Sequence, residues 1–308
     1  MEKQNHHHCH HHHHNDDLRG KKLLWATLLN FAITLVQIAG GILSNSLSLL
    51  SDALHNLADS LAIFIAFIAG KISGKQPDRR KTFGYKRIEI LAALFNATVL
   101  IAICIFLLFE AYERFRAPEA IKGRLMLIIA TFGLLANLGS VLILHKDKSH
   151  NLNVKAAYLH LMGDTLSSVA VIMGGIAIWL FHIWWIDPLI TVLVSVYIIW
   201  HTWGIVKETV NILMQATPAE INLDEIKKQV EQLHEVDNIH HVHVWKLDDS
   251  HIHLEGHLNL KNNMDIIEMM AVRKKAEDVL SEKFGIQHIT LQIGYNCCMN
   301  SKELICSN

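Results

Sequence analysis

The sequence has little cysteine, almost no net charge and no His-Glu-x-x-His motif. Its 308 residues include five cysteines, and 29 acidic side chains balance 28 basic ones. Without a basic excess we expect no nucleic-acid partner. A zinc hydrolase would need a catalytic base beside its metal ligands, as His-Glu-x-x-His provides, so we expect no enzyme. The polar N-terminus also lacks the short apolar segment and cleavage site of a signal peptide.

Long apolar runs are what the sequence does contain. Hydrophobic residues make up 51% of the chain, and a helix needs about 20 consecutive apolar residues to cross a bilayer. Six runs reach that length, which predicts an all-α membrane domain of six transmembrane helices within residues 18–212. The runs are Leu23 to Leu43, Leu47 to Ala69, Ile90 to Phe109, Leu125 to Leu144, Ala156 to Phe181 and Ile186 to Val206.

A charged, alternating sequence follows the last apolar run. Its periodicity favours a helix over residues 222–236, strands in IHHVHVWKL and HIHLEGHLNL around a DDS turn, a helix over 264–284 and a strand in QHITLQIG. Residues 213–296 are therefore predicted to form a small α+β ferredoxin-like domain in the order αββαβ. Residues 297–308 are predicted to be a flexible C-terminal tail.

The short loops indicate the orientation, because Lys and Arg are retained on the cytoplasmic side. The basic residues before the first run, in the second-to-third loop and in the fourth-to-fifth loop all fall on one side of the membrane. Both termini are therefore predicted to be cytoplasmic, together with four of the five cysteines, for which we expect no disulfides. These basic residues are Arg19, Lys21, Lys22, Lys71, Lys75, Arg79, Arg80, Lys81, Lys86, Arg87, Lys146, Lys148 and Lys155.

Two predicted helices carry the same His-x-x-x-Asp spacing inside their apolar runs. HNLAD places His55 and Asp59 on one helix face, and HLMGD does the same for His160 and Asp164. An ionised carboxylate at mid-bilayer costs about 2.5–3.5 kcal/mol, so these groups need compensation. Together the four form a tetrahedral site that suits Zn²⁺, with Cd²⁺ and Co²⁺ as alternatives. The other interpretation is two His-Asp hydrogen bonds that lock helices together.

The ligand set favours an ion in transit over a catalytic or structural ion. Catalytic zinc usually keeps three protein ligands and an open position, and a structural zinc would not need ligands at membrane depth. Asp52, seven residues before Asp59, is expected at a wet vestibule outside the ligand set.

The first 17 residues form a histidine-rich tract. His8, Cys9 and His10 lie in a run of eight histidines that Cys9 interrupts. We expect a disordered segment that collects zinc loosely. The alternative is an expression tag, although no linker or protease site follows.

Four segments together resemble the cation diffusion facilitator family over residues 18–296, and its zinc-transporting bacterial branch in particular. The resemblance implies six spans, a cytoplasmic domain and a homodimer in a bacterial inner membrane, which exports divalent metal in exchange for protons. It implies that His55, Asp59, His160 and Asp164 bind the transported ion. The segments are SNSLSLLSDALHNLADS, DRRKTFGYKRIEILAALFNA, NLNVKAAYLHLMGDTLSS and HHVHVWKLDD.

The loop between the second and third runs departs from some members of that family. Those members bind a second metal there, through an aspartate and histidines around a Phe-Gly pair. Here Asp78 is present, but Lys81 and Tyr85 stand where histidines would be needed. We expect no metal site in this loop.

Histidines also alternate along the predicted strands of the soluble domain. The resemblance favours His243, His257 and His288 as ligands of a second zinc site, which Cys297 and Cys298 could join. Such a site would tie two chains together and sense metal occupancy. The alternative is that a solvated sheet face carries histidines for no special reason.

The sequence therefore predicts a zinc/proton antiporter that works by alternating access. A membrane-anchored zinc sensor is the main alternative, although a sensor would not need ionisable groups at mid-bilayer. A channel is a further alternative, but four converging ligands suggest tighter binding than conduction through a pore allows.

Overall fold

The computed structural model describes residues 31–145, 152–295 and 304, without the side chains of residues 140–145 and 152–161. Two compact units divide the chain. The first unit contains two segments, the chain up to Phe64 and Thr98–Thr202. The second unit contains Ile65–Ala97 and the chain from Trp203 onward.

Over the described residues, six apolar helices precede the small domain that contains the sheet, called the soluble domain below. The described part of α1 is Phe31–Ser44, and α2 (Leu47–Ser73), α3 (Arg87–Arg116), α4 (Gly123–His145), α5 (Leu152–Phe181) and α6 (Ile186–Leu213) follow it. Four of them, α2, α3, α5 and α6, are long and apolar enough over their described residues to cross a membrane, whereas the described apolar parts of α1 and α4 are shorter. Large apolar side chains such as Phe106, Leu193 and Trp200 are exposed on these helices. An integral membrane protein explains that exposure, because lipid covers such surfaces.

A buried carboxylate fixes the beginning of α2. Asp187, in the first turn of α6, accepts hydrogen bonds from the backbone N–H groups of Leu47 (2.7 Å) and Ser48 (3.2 Å). The same carboxylate accepts the hydroxyls of Ser46 (2.6 Å) and Ser48 (2.5 Å). The first N–H groups of a helix have no partner within it, and negative charge is favourable at this end. Asp187 thus caps α2 from another helix.

Close packing between α4 and α5 depends on glycine. A Cβ atom at Gly123 would lie 2.9 Å from the backbone nitrogen of Trp179, which real Cβ atoms essentially never do. Met126 and Ala130 of α4 then pack with Val171 and Ile178 of α5 in a buried cluster.

The soluble domain follows the predicted order αββαβ. It consists of α7 (Leu223–Glu231), β1 (Val236–Lys246), β2 (Ile252–Leu260), α8 (Ile266–Phe284) and β3 (His288–Tyr295). The predicted first helix was too long at its C-terminal end, because residue 236 already begins β1. The sheet order is β1-β2-β3, with β1 antiparallel and β3 parallel to β2.

One face of the sheet packs against α7 and α8. Ile226 of α7 and Leu280 of α8 are fully buried against Val244, Leu254 and other strand residues. A bulge interrupts β1, because His240 pairs with His257 whereas His243 pairs with Glu255. The N–H of Val242 within the bulge donates to the carbonyl of Leu304, 2.8 Å away. At this position the C-terminal tail therefore contacts the sheet.

Candidate metal site

Three predicted ligands converge inside the first unit. Nε2 of His55 lies 3.5 Å from Oδ2 of Asp59 and 3.4 Å from Oδ1 of Asp164. One ligand atom from each residue lies within 4.8 Å of the others. Tetrahedral zinc with bonds of about 2.0–2.2 Å places its ligand atoms roughly 3.3–3.6 Å apart. The two measured separations match the edges of such a tetrahedron.

The local sequence explains why these side chains meet. His55 and Asp59 are four residues apart on α2 and therefore share a face. Asp164 reaches them from α5, and its side chain is 8% exposed, against 14% for His55 and 26% for Asp59. His160 lies on α5 one turn before Asp164, but its side chain is outside the described residues.

Asp52 is buried, so the expected vestibule position was wrong. The residue is 1% exposed. Its Oδ1 accepts the hydroxyl of Ser167 at 2.6 Å, and its Oδ2 is 3.2 Å from the hydroxyl of Ser168 and 3.3 Å from Nε2 of Gln37. These partners come from α5 and α1, which the sequence spacing on α2 alone could not reveal.

The hydrogen bonds of Asp52 connect to the group of candidate ligands through Ser167. The Ser167 hydroxyl is also 2.9 Å from the backbone carbonyl of Asp164. Because a hydroxyl has one hydrogen, Ser167 donates either to Asp52 or to this carbonyl at any one time. Asn137 of α4 extends the network by donating to Ser168 at 3.3 Å. Asp52 therefore holds α1 and α5 against α2 beside the ligands. The signal in the sequence was a set of polar residues at helical spacing within apolar runs.

The loop between α2 and α3 uses its aspartate internally. Asp78 accepts the backbone N–H groups of Arg80 (2.7 Å) and Lys81 (2.8 Å) and the hydroxyl of Tyr85 (2.7 Å). These bonds lower the pKa of Asp78, the Tyr85 hydroxyl most of all, followed by the two N–H groups. Tyr85 and the two N–H groups thus occupy both oxygens of Asp78, and a loop without metal remains our prediction.

Histidines of the soluble domain form two separate groups. The rings of His241 and His243 have centroids 4.8 Å apart, and the His241 ring stacks on that of His257 at 5.0 Å. His288 instead contacts His253, with centroids 4.7 Å apart.

The sheet register separates two of the three predicted ligands of the second site within one chain. His253 pairs with His288 and His257 pairs with Gln292, so His257 and His288 are separated by four positions along the sheet, or about 13 Å. His243, His257 and His288 therefore do not form one ligand set within a chain. Among the described residues, a group of three with ligand atoms this close occurs only at His55, Asp59 and Asp164.

Burial keeps several of these imidazoles neutral. It lowers the pKa of His257, and the neighbouring charge of His241 lowers that pKa further. The pKa of His253 is lowered by burial and then by His288. Neutral imidazole is the form that binds metals. Each histidine group also contains a residue outside the predicted ligand set, namely His241 in one and His253 in the other. The accessory candidates lie outside the described residues: His8, Cys9, His10, Cys297 and Cys298.

Ionisable side chains that converge inside apolar helices mark ion pathways and proton relays, which is the kind of site that a membrane transporter has. Comparison with known families specifies the class. A model of the cation efflux transmembrane domain matches residues 23–214, and a model of the cation efflux protein cytoplasmic domain matches residues 218–294. The chain belongs to the cation efflux family, whose members are transporters and not enzymes.

Curated relatives resemble the chain over nearly its whole length. Zinc transporter ZitB of Yersinia pestis is 39% identical over 284 residues, which cover 92% of this chain and 90% of the relative. Cation efflux system protein CzcD of Alcaligenes is 36% identical over 90% of this chain and 87% of its own. A cadmium, cobalt and zinc/H(+)-K(+) antiporter of Bacillus subtilis is 35% identical over 93% and 92%.

Proposed function

We propose that the protein exports Zn²⁺ from the cytoplasm in exchange for protons, through a site formed by His55, Asp59, His160 and Asp164. The observation that carries this proposal is the convergence of His55, Asp59 and Asp164 from α2 and α5, at separations of 3.4 and 3.5 Å that suit tetrahedral zinc. His160 is the fourth ligand by its spacing. Cd²⁺ and Co²⁺ are further substrates, in keeping with the name of the Bacillus subtilis relative.

Proton exchange follows from the chemistry of the ligands. Zinc binds neutral imidazole and ionised carboxylate, so loading the site releases protons and reprotonation weakens binding. Histidine titrates near pH 6.5 in water, which suits exchange near neutral pH. Protons that enter from the outer face displace the metal there, and cytoplasmic zinc displaces the protons. The antiporter name of one relative supports this direction of coupling.

The proposed architecture has six spans over residues 18–212, a ferredoxin-like cytoplasmic domain over 213–296, and both termini in the cytoplasm of a bacterial cell. The two family models divide the chain near the same place, and one of them describes its domain as cytoplasmic. We further propose a homodimer, in which His243, His257 and His288 bind zinc at a site shared between the soluble domains of the two chains. Within one chain the sheet register keeps His257 and His288 about 13 Å apart, so only a shared site uses both.

Zinc flux into proteoliposomes with an imposed pH gradient tests the transport proposal. Asp164→Ala should abolish flux and reduce zinc binding, because it removes the most buried carboxylate of the site. Asp249→Asn is the matched control, since Asp249 is exposed in the β1–β2 turn and should leave flux unchanged. Flux that persists in Asp164→Ala would refute the site, and zinc flux without an opposing movement of protons, followed with a pH-sensitive dye, would refute proton coupling. A chain that binds zinc without any flux would instead be the sensor.

A further inference from the structure

The segment between α2 and α3 lines a basic cavity in the second unit. The cavity has a volume of about 450 Å³, and four of its lining residues are Arg80, Lys81, Lys86 and Arg87. Phe83, Leu91, Trp245 and Leu247 contribute apolar surface, and the described lining contains no Asp or Glu. A cavity with four cations and no acid attracts an anion.

The nearest acids do not neutralise the cavity. Both oxygens of Asp78 are taken by the N–H groups of Arg80 and Lys81 and by Tyr85. Lys86 is partly compensated, because its ammonium lies 3.4 Å from Asp248 of the β1–β2 turn. Nε of Arg87 is buried and has no hydrogen-bond partner among the described residues. A buried guanidinium N–H without an acceptor favours a ligand that supplies one.

The position of the cavity points to a lipid. Leu91 lies in the second turn of α3, which is long and apolar enough to cross a membrane, and it is exposed together with Phe83 and Phe95. The cations therefore stand where an apolar helix leaves the hydrocarbon and the phosphate groups of lipids lie. Clusters of Lys and Arg immediately cytoplasmic of a membrane-spanning helix bind anionic head groups, and the proposed orientation puts this loop on that side.

We propose that this cavity binds the phosphate of an anionic phospholipid, with Arg80, Lys81 and Arg87 as its cationic contacts and Leu91 against an acyl chain. Soluble phosphate shares the same chemistry, but it gains nothing from the exposed apolar side chains. The proposal goes beyond metal transport. The lipid would bind to the loop that follows α2, where Lys86 also contacts Asp248 of the soluble domain.

Native mass spectrometry of the full-length protein in a nonionic detergent tests this. The protein is titrated with phosphatidylglycerol and, separately, with phosphatidylcholine of the same chains. We expect phosphatidylglycerol to be retained preferentially, and Arg80→Gln/Arg87→Gln to weaken its binding roughly fivefold for each lost cation. Lys75→Gln/Arg79→Gln is the matched control, because it removes two exposed charges of the same loop that do not line the cavity.

Other results would overturn the proposal. Equal retention of the two lipids would do so, and so would equal weakening by both double variants, which indicates attraction to the loop as a whole. Displacement of phosphatidylglycerol by millimolar inorganic phosphate, but not by chloride at equal ionic strength, would make soluble phosphate the ligand. If Arg87→Gln prevents folding, Arg80→Gln/Lys81→Gln, at two exposed positions, replaces it. No zinc is present in the assay, so its outcome is independent of the transport proposal.

Discussion

Replacing Asp187 by Ala should loosen α2 and weaken the metal site, although Asp187 is not a predicted ligand. The substitution removes one acceptor from four donors, namely the N–H groups of Leu47 and Ser48 and the hydroxyls of Ser46 and Ser48. The two hydroxyls are 3.3 Å apart and can bond each other. The two buried N–H groups have no such alternative among the described residues.

The structure gives the size of this effect. A hydrogen bond to a charged group contributes about 1.5–3 kcal/mol, so two lost amide bonds lower the free energy of unfolding by about 3–6 kcal/mol. Asp187→Asn keeps one oxygen and should lose about half of that. His55 lies eight residues after Leu47, or about 12 Å along α2, so a shifted helix start displaces the ligand. We expect zinc affinity to fall by about tenfold or more, as when the support of a metal ligand is lost.

Denaturation of the full-length protein in mixed detergent micelles measures the stability change, and calorimetric titration measures zinc affinity. Thr191→Val is the control, since the buried Thr191 hydroxyl bonds the carbonyl of Asp187 within the same helix and no other described residue. It should cost less than about 1 kcal/mol. If Asp187→Ala lowers the free energy of unfolding no more than this control does, the carboxylate does not hold α2 in place and the prediction is wrong.

Three further predictions concern single side chains. His55→Asp makes the site richer in oxygen and should admit Mn²⁺ or Cd²⁺ more readily, and an unchanged ion preference in proteoliposome flux would argue against the ligand role. Asp52→Asn places an amide against the donors Gln37 and Ser168 and should reduce zinc flux by about 10–100-fold, whereas full flux would show that the network is dispensable. Burial raises the pKa of Asp248, but hydrogen bonds from His251 and Ser250 outweigh the effect of burial and hold that pKa well below its ordinary value of 3.8. The hydrogen bonds to ionised Asp248 therefore stabilise the fold fully above pH 3.8, and this stabilisation is lost as the pH falls toward the folded-state pKa. A stability difference between wild type and Asp248→Asn that does not shrink over that acid range would contradict the prediction.

Local spacing predicted the parts of the site that lie on single helices. His55 and Asp59 share a face because helical geometry places residues four apart together, and no other part of the chain is needed for that. The apolar runs and the αββαβ order are local in the same sense, because each reflects the periodicity of one segment. The prediction extended this helix to residue 236, whereas α7 ends at Glu231 and Val236 begins β1. Strand pairing is a contact between distant segments, which the helical pattern of one segment does not show.

Tertiary structure decided which segments meet. The burial of Asp52 depends on Gln37 and Ser167, which are 15 and 115 residues away, and the capping of α2 depends on Asp187, which is 140 residues from Leu47. The sheet register alone separates His257 from His288. The sequence by itself determined that imidazoles and carboxylates lie within apolar helices and must be compensated. Only the fold determined which groups compensate them, because pairing between distant segments is set by packing and not by spacing along the chain.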